Sequence, residues 1–600
     1  MARLPLLSLL PIFAAGATVF APHAAQACGG TFCDAGPQAM PVDQTGENVL
    51  FIVDGDEVEA HIQIRYDPDT DASKFAWMIP LPALPQFEVG SEALFTAILN
   101  ASVPIYGLNP TGPCGGNNGS GGTFITRSDM GGGGEDPPMV LYEGAVGAFE
   151  VVVLAGEDVD GIMAWLTANG YQADPNAAPI LQQYLDEDNV IVAFKLATGE
   201  GLDAIHPVVL RFAAAEGCVP IRLTRIAAVD DMDIRVFVLG DARTVPTNYK
   251  HVLVNPLKID WLSLGANYKE VVSMAVDAFG AEGRAFVTEY AGTSDGIFED
   301  LQFSLYWDAD KFVGLDPTAV MTVLAGQQLA ECFDAQCLFY HPLLPGLLAQ
   351  HLPVPDGLTA DEFYSCLSCY EGQIDPAAWS GGEGFAADFA ERIVQPGFHA
   401  ASLLQTWPYL TRMYTTISPN EMTADPEFVE NPDLPDVPAL RIAQDFISCE
   451  DERIVTLPDG REVHLKNGEP WPAFQDEMPW EEDVDEMPPK GAPQPLVDNT
   501  ALIDRLLAEW NQTGGATGGG DDTGGTSSGS SGSDATSSDT PTGGAPTGGT
   551  SSGGEGSGGE GPGGGGSANG GETGCGCRDA RATPWWAALA IPALRRRRRA

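Results

Sequence analysis

The sequence predicts an α+β fold built largely of antiparallel sheet with packed helices, followed by a long tract that forms no core. Two patterns carry that expectation. Apolar and polar residues alternate with a period of two in several segments, and the helical segments stand singly between runs of strands. The chain has 600 residues, 44 % of them hydrophobic, so core size sets no limit and about three domains fit.

The elements follow in order. Val58, Ala60, Ile62, Ile64 and Tyr66 alternate with Glu59, His61, Gln63 and Arg65, which describes a half-buried strand. FAWMIPLP at 75–82 is expected as its partner, with prolines that suit an edge or a strand end. Ser91 caps a helix over 91–101. Further strands are expected at 147–154, 189–197, 206–213, 219–228 and 233–239, and helices at 159–169, 178–186, 265–278, 315–331 and 400–416. The Gly/Pro-rich stretch 107–138, which contains Cys114, reads as a surface loop. Residues 419–499 are acidic and Pro-rich, with one clear hairpin, RIVTL-PDG-REVHL, at 453–465. This places an α+β domain at 28–300 and a second region, more helical and then acidic, at 301–512.

Both ends read as addresses. Residues 1–27 combine Arg3, an apolar run and Ala25-Gln26-Ala27 at the cleavage positions, the pattern of a secretory signal peptide whose removal leaves Cys28 first. Residues 513–574 are rich in Gly, Ser and Thr, cannot bury enough apolar surface to offset their ordering entropy, and are expected to form a disordered stalk. Such a coil spans roughly 40–48 Å. The segment 575–600 carries Cys575 and Cys577, then an apolar stretch with Trp585 and Trp586, then Arg595, Arg596, Arg597, Arg598 and Arg599. The apolar stretch, as a helix, reaches about 18 Å against about 30 Å of hydrocarbon, so it suits a processing signal better than a permanent span. This GCGC–apolar–Arg order behind a Gly/Ser/Thr tract resembles the myxobacterial C-terminal sorting tail of the MYXO-CTERM type. The resemblance implies export, cleavage near a cysteine by an intramembrane sortase-like protease, and anchoring at the surface or outer membrane of a Gram-negative cell.

Charge removes one class of partner. Thirty Lys+Arg stand against 83 Asp+Glu, a formal net charge of −53, and so acidic a surface repels phosphate backbones; no nucleic-acid partner is expected. CGGTFCDAG, EVEAHIQIRYD, FAWMIPLP, MAWLTANGY and VPIRLT together resemble the bacterial domain of unknown function 2330 family over about 28–300. That resemblance implies an exported protein and supplies no activity.

Nine cysteines lie in the body, and an exported chain meets an oxidising compartment. Cys28 and Cys33 are expected to form a local bridge; Cys332, Cys337, Cys366 and Cys369 pair locally or across. A zinc site that adds His341 and His351 to those last four is the sharper alternative, but C-x₄-C with scattered histidines is not a standard zinc spacing, so no metal site is expected. Gly292-Thr293-Ser294-Asp295-Gly296 matches G-x-S-x-G, yet no downstream histidine sits in a recognisable frame, and a tight turn is the expected reading. No H-E-x-x-H, P-loop or dinucleotide fingerprint occurs, so neither a catalytic set nor a cofactor is expected. The expectation is an exported, surface-anchored, non-catalytic envelope or binding protein served by export machinery and a C-terminal sorting protease, and tied to the membrane by its C-terminal tail. A surface hydrolase using Ser294 and a metal-stabilised module around Cys332–Cys369 are the alternatives.

Overall fold

A ten-stranded sheet organises the computed structural model, which describes residues 31–32, 44–66, 76–114, 139–156, 158–168, 176–197, 205–214, 216–226, 228–333, 336–474 and 477–513. Its strands lie in the order Gln494–Asp498, Glu481–Glu486, Lys250–Val254, Ala285–Thr293, Tyr409–Ile417, Ala228–Gly240, Gln44–Asp54, Glu57–Tyr66, Val208–Ala213 and Gln86–Val89. Neighbours run antiparallel except at two joints, Ala228–Gly240 with Gln44–Asp54 and Lys250–Val254 with Ala285–Thr293. The α+β class is as the sequence implies. Residue 300 marks no break in this sheet. Tyr409–Ile417 lies between Ala285–Thr293 and Ala228–Gly240 and hydrogen-bonds to both, so strands from both sides of that position share one ladder.

Alternation along each strand decides what covers the sheet. On one face Val58, Ala60 and Ile62 meet Trp77, Ile79, Val151, Val153, Val192 and Phe194 of a five-stranded sheet. On the other, Leu50, Ile52, Phe237 and Leu239 pack beneath the helices Glu92–Ser102, Asp295–Leu301 and Gln395–Thr406 through Leu94, Phe95, Ile98, Ile297, Leu403 and Leu404. The outer face of the five-stranded sheet is covered by Val159–Ala168 and Ala178–Asp186. Between residues 307 and 394, short helices close over Phe312, Phe363, Phe385 and Phe389 as a separate cluster. The Thr500–Thr513 helix seals the end of the sheet through Ile503, Leu506 and Leu507.

Several local expectations change. The segment Ala76–Leu81 pairs with Val190–Leu196 and not with Glu57–Tyr66. Gln44–Asp54 takes that place, joined through a two-residue turn in which Gly55 adopts φ +67°, a conformation that glycine reaches without steric cost. The 219–228 strand is instead a helical turn, Ile221–Thr224, after Pro220, which has no ladder donor to offer. Residues 315–331 divide into a 3₁₀ turn at Pro317–Ala319, a helix at Val320–Gly326 and the start of a hairpin at Ala330. The 400–416 helix ends at Thr406, and Tyr409–Ile417 is a buried strand; Pro408 stops the helix and the β-branched and aromatic residues after it suit a pleated surface. The signal segment, Cys28, Cys33, the stalk, Cys575, Cys577 and Arg595–Arg599 lie outside the described residues.

Candidate functional site

In the middle of the Glu57–Tyr66 strand the polar side is withdrawn from water: His61 is buried and Glu59 and Gln63 are half-buried. Glu59, His61 and Gln63 point to the helix-covered side, in register with Ile52, Leu50 and Asn48 of the neighbouring strand. Arg211 lies directly opposite Glu59 on the other neighbour. Above them the Gln395–Thr406 helix brings in His399. A π-helical turn, Ala390–Val394, leads into this helix just before Pro396, where the missing N–H disturbs the regular ladder; such turns recur at functional sites. Gly397 lets the helix seat closely: a Cβ there would lie 2.8 Å from the Trp307 ring.

The result is a convergence of four groups. His61 Nε2 lies 2.7 Å and His399 Nε2 2.5 Å from the same oxygen, Glu59 Oε1. Arg211 Nε donates to the other oxygen, Oε2, at 2.9 Å; its Nη1 pairs with Glu88, and its Nη2 lies 3.1 Å from His399 Nε2. The two imidazoles stack with ring centres 5.7 Å apart and planes 8° from parallel. Behind them, Asn48 donates to Gln63 and Gln63 donates to Glu92, each at 2.8 Å.

Exposure grades the cluster from floor to mouth: the side chain of His61 is 1 % exposed, Glu59 12 % and His399 27 %. A cleft of about 580 Å³ opens beside it, lined by Phe87, Glu88, Val89, Val146, Pro396 and His399 among others, so that of the cluster and its partners only His399 and Glu88 reach the cleft wall. Burial draws the Glu59 pKa upward, but hydrogen bonds from His399, His61 and Arg211 outweigh it and hold the carboxyl well below its ordinary range. Burial lowers the His61 pKa against the pull of Glu59, which favours the neutral ring. The set therefore presents an ionised carboxylate and a neutral imidazole, with a second imidazole at the cleft wall. Two nitrogens and one oxygen, from one strand and one helix, are donors suited to a divalent transition metal, and these three atoms lie within 4.8 Å of one another.

The residues singled out from the sequence lie elsewhere. Ser294 does follow a strand and open a helix, Asp295–Leu301, but it is fully buried and its Oγ donates to the Trp407 carbonyl at 3.0 Å. There it fastens the helix to the segment entering Tyr409–Ile417. Cys332 pairs with Cys337 and Cys366 with Cys369, so the local pairing is the one present and these four sulfurs are bridged. His341 is buried with Nδ1 accepting from the Leu343 N–H, and His351 pairs with Asp388 at 2.6 Å. A third bridge, Cys114–Cys449, joins positions that the sequence reading left unpaired. The sequence pattern does not single out the Glu59–His61–His399 cluster either, because His399 lies 338 positions beyond His61. Its one local signal is Glu59-x-His61 on a strand, a spacing that puts both side chains on one face.

Fold and site together define an α+β protein with a polar, histidine-containing cleft beside a large mixed sheet. The chain matches, over residues 22–331, the family described as an uncharacterized protein conserved in bacteria (DUF2330), and it belongs to that family. No curated protein and no solved structure matches it. Glu59, His61, Glu88 and Arg211 fall inside the matched residues and His399 falls outside them.

Proposed function

We propose that the protein is an exported, surface-anchored binding protein whose ligand site is the cleft walled by His399 and Glu88, next to Glu59 and His61. The observation that carries the reading is the cleft itself. It has volume for a small ligand, and Glu88 and His399 in its wall are held by a strand and a helix, not by a loop. Binding is favoured over turnover by Glu59: a carboxylate already engaged by three donors has little basicity left for proton abstraction. Display outside the cell is supported by the signal-like start, the Gly/Ser/Thr tract and the MYXO-CTERM-like tail.

The test is the mass of both termini of protein recovered from cell-surface membranes. The expected chain starts at Cys28 and ends at Cys575 or Cys577 with added lipid mass. A chain that retains Arg595–Arg599 overturns surface anchoring through the tail.

A further inference from the structure

We propose that Glu59 Oε1, His61 Nε2 and His399 Nε2 bind one divalent transition-metal ion of the zinc class, with its remaining coordination position open to the cleft. The inference goes beyond the display reading and does not depend on it.

Three features of the geometry support it. First, both imidazoles aim the same ring nitrogen at the same carboxylate oxygen, at 2.7 and 2.5 Å. Donors around a tetrahedral zinc stand about 2.0–2.2 Å from the metal and so roughly 3.4 Å from one another. The two His–Glu separations need to widen by less than about 1 Å, within reach of small side-chain rotations.

Second, His399 Nε2 faces incompatible demands when no ion is present. Glu59 Oε1 calls for a proton on that nitrogen, whereas Arg211 Nη2 at 3.1 Å calls for a lone pair. One nitrogen cannot satisfy both. With a cation bound, the lone pair of Nε2 and the oxygen of Glu59 both point at positive charge and no proton is needed between them; Arg211 Nη2 then turns from Nε2, whose lone pair the metal takes, while its Nε and Nη1 remain on Glu59 and Glu88.

Third, the surroundings are arranged as an outer shell. Arg211 holds Glu59 by Oε2 and leaves Oε1 for the metal, while Glu88 offsets the guanidinium charge that would otherwise repel a cation. Two histidines and one carboxylate leave one tetrahedral position vacant, and His399, the most exposed of the three, lines the cleft. A ligand entering the cleft would complete the coordination through an oxygen or nitrogen donor.

The experiment uses the purified full chain, stripped with a chelator and then titrated with zinc chloride. Metal content after gel filtration and calorimetry are the readouts. The expected result is one zinc per chain, with affinity reduced about 100-fold or more in His399→Ala and in Glu59→Gln, and about 10–100-fold in Arg211→Met, whose role is to position Glu59. Cobalt substitution supplies a second readout: the visible band of a low-coordinate cobalt site is expected in the parent and absent in Glu59→Gln. The double variant Cys366→Ser/Cys369→Ser is expected to keep the zinc. Circular dichroism identifies which variants are folded, and a cobalt band that survives in folded Glu59→Gln counts against the site. Failure of the parent to retain zinc, or equal retention in folded His399→Ala and Glu59→Gln, overturns the proposal while leaving the termini measurement to judge display separately.

Discussion

At Gly147 a single added carbon is enough to disturb the fold. The residue adopts φ +55°, and a Cβ there would lie 2.2 Å from Nε2 of His206, which accepts from the neighbouring Ala148 N–H at 3.0 Å. Gly147→Ala is therefore expected to lower stability by about 1–3 kcal/mol in urea unfolding. His206 also carries a pH dependence. Burial lowers its pKa to about 4, so its neutral form is the folded one. Between about pH 6.5 and 4 the unfolded chain binds the extra proton, and the stability present above that window is lost as pH falls through it. The loss is about 2 kcal/mol by pH 5. The stability difference between parent and His206→Gln, measured by urea unfolding at pH 7.5 and at pH 5, is expected to shrink by about that amount. Asp425 gives a sharper case: it is fully buried, accepts from Tyr184 Oη and from the backbone and guanidinium of Arg222, and Arg222 also grips Glu187. Asp425→Ala takes the acceptor from Tyr184 Oη and from the Arg222 backbone and Nε, while Glu187 still holds the other two guanidinium nitrogens, and is expected to cost about 2–3 kcal/mol in the same assay.

Among the elements, those with strong local signals were legible and those decided by distant partners were not. Ser91 accepts from the Leu94 N–H and starts the Glu92–Ser102 helix as its position suggests, and Glu452–Thr456 pairs with Glu462–Lys466 in the expected hairpin. Proximity in sequence favours Ala76–Leu81 as the partner of Glu57–Tyr66, whereas Gln44–Asp54 supplies a longer apolar strand through a tighter turn and takes the place. The Cys114–Cys449 bridge was illegible for a related reason: 335 positions separate its halves. It fastens the end of Ile105–Thr111 to the end of Leu440–Ile447, which run parallel in one sheet. A bridge closing so long a loop restrains the unfolded chain more than those spanning 5 and 3 positions. Cys114→Ser/Cys449→Ser is expected to cost roughly 2–5 kcal/mol, more than Cys366→Ser/Cys369→Ser, by urea unfolding of the two double variants.

For the whole molecule, the sheet decides what can fold alone. Tyr409–Ile417 fills the slot between Ala228–Gly240 and Ala285–Thr293, so a chain ending at residue 300 exposes two long, apolar strand edges. The segment 28–300 expressed by itself is expected to aggregate or to lack near-ultraviolet dichroism, while 28–513 gives a cooperative thermal transition. A soluble, cooperatively unfolding 28–300 would contradict this. The same topology explains why the site escaped the sequence reading. Glu59 and His61 look like the wet side of a strand until a helix covers them, and His399 is an unremarkable helical residue until the π turn and Gly397 seat it over that strand. Only their convergence carries chemistry.

That convergence is tested most directly by diffraction from zinc-soaked crystals of the 28–513 chain, with data collected on both sides of the zinc absorption edge. The account predicts an anomalous peak about 2.0–2.2 Å from Glu59 Oε1, His61 Nε2 and His399 Nε2. No peak at that position, or peaks only on the acidic surface, would contradict it.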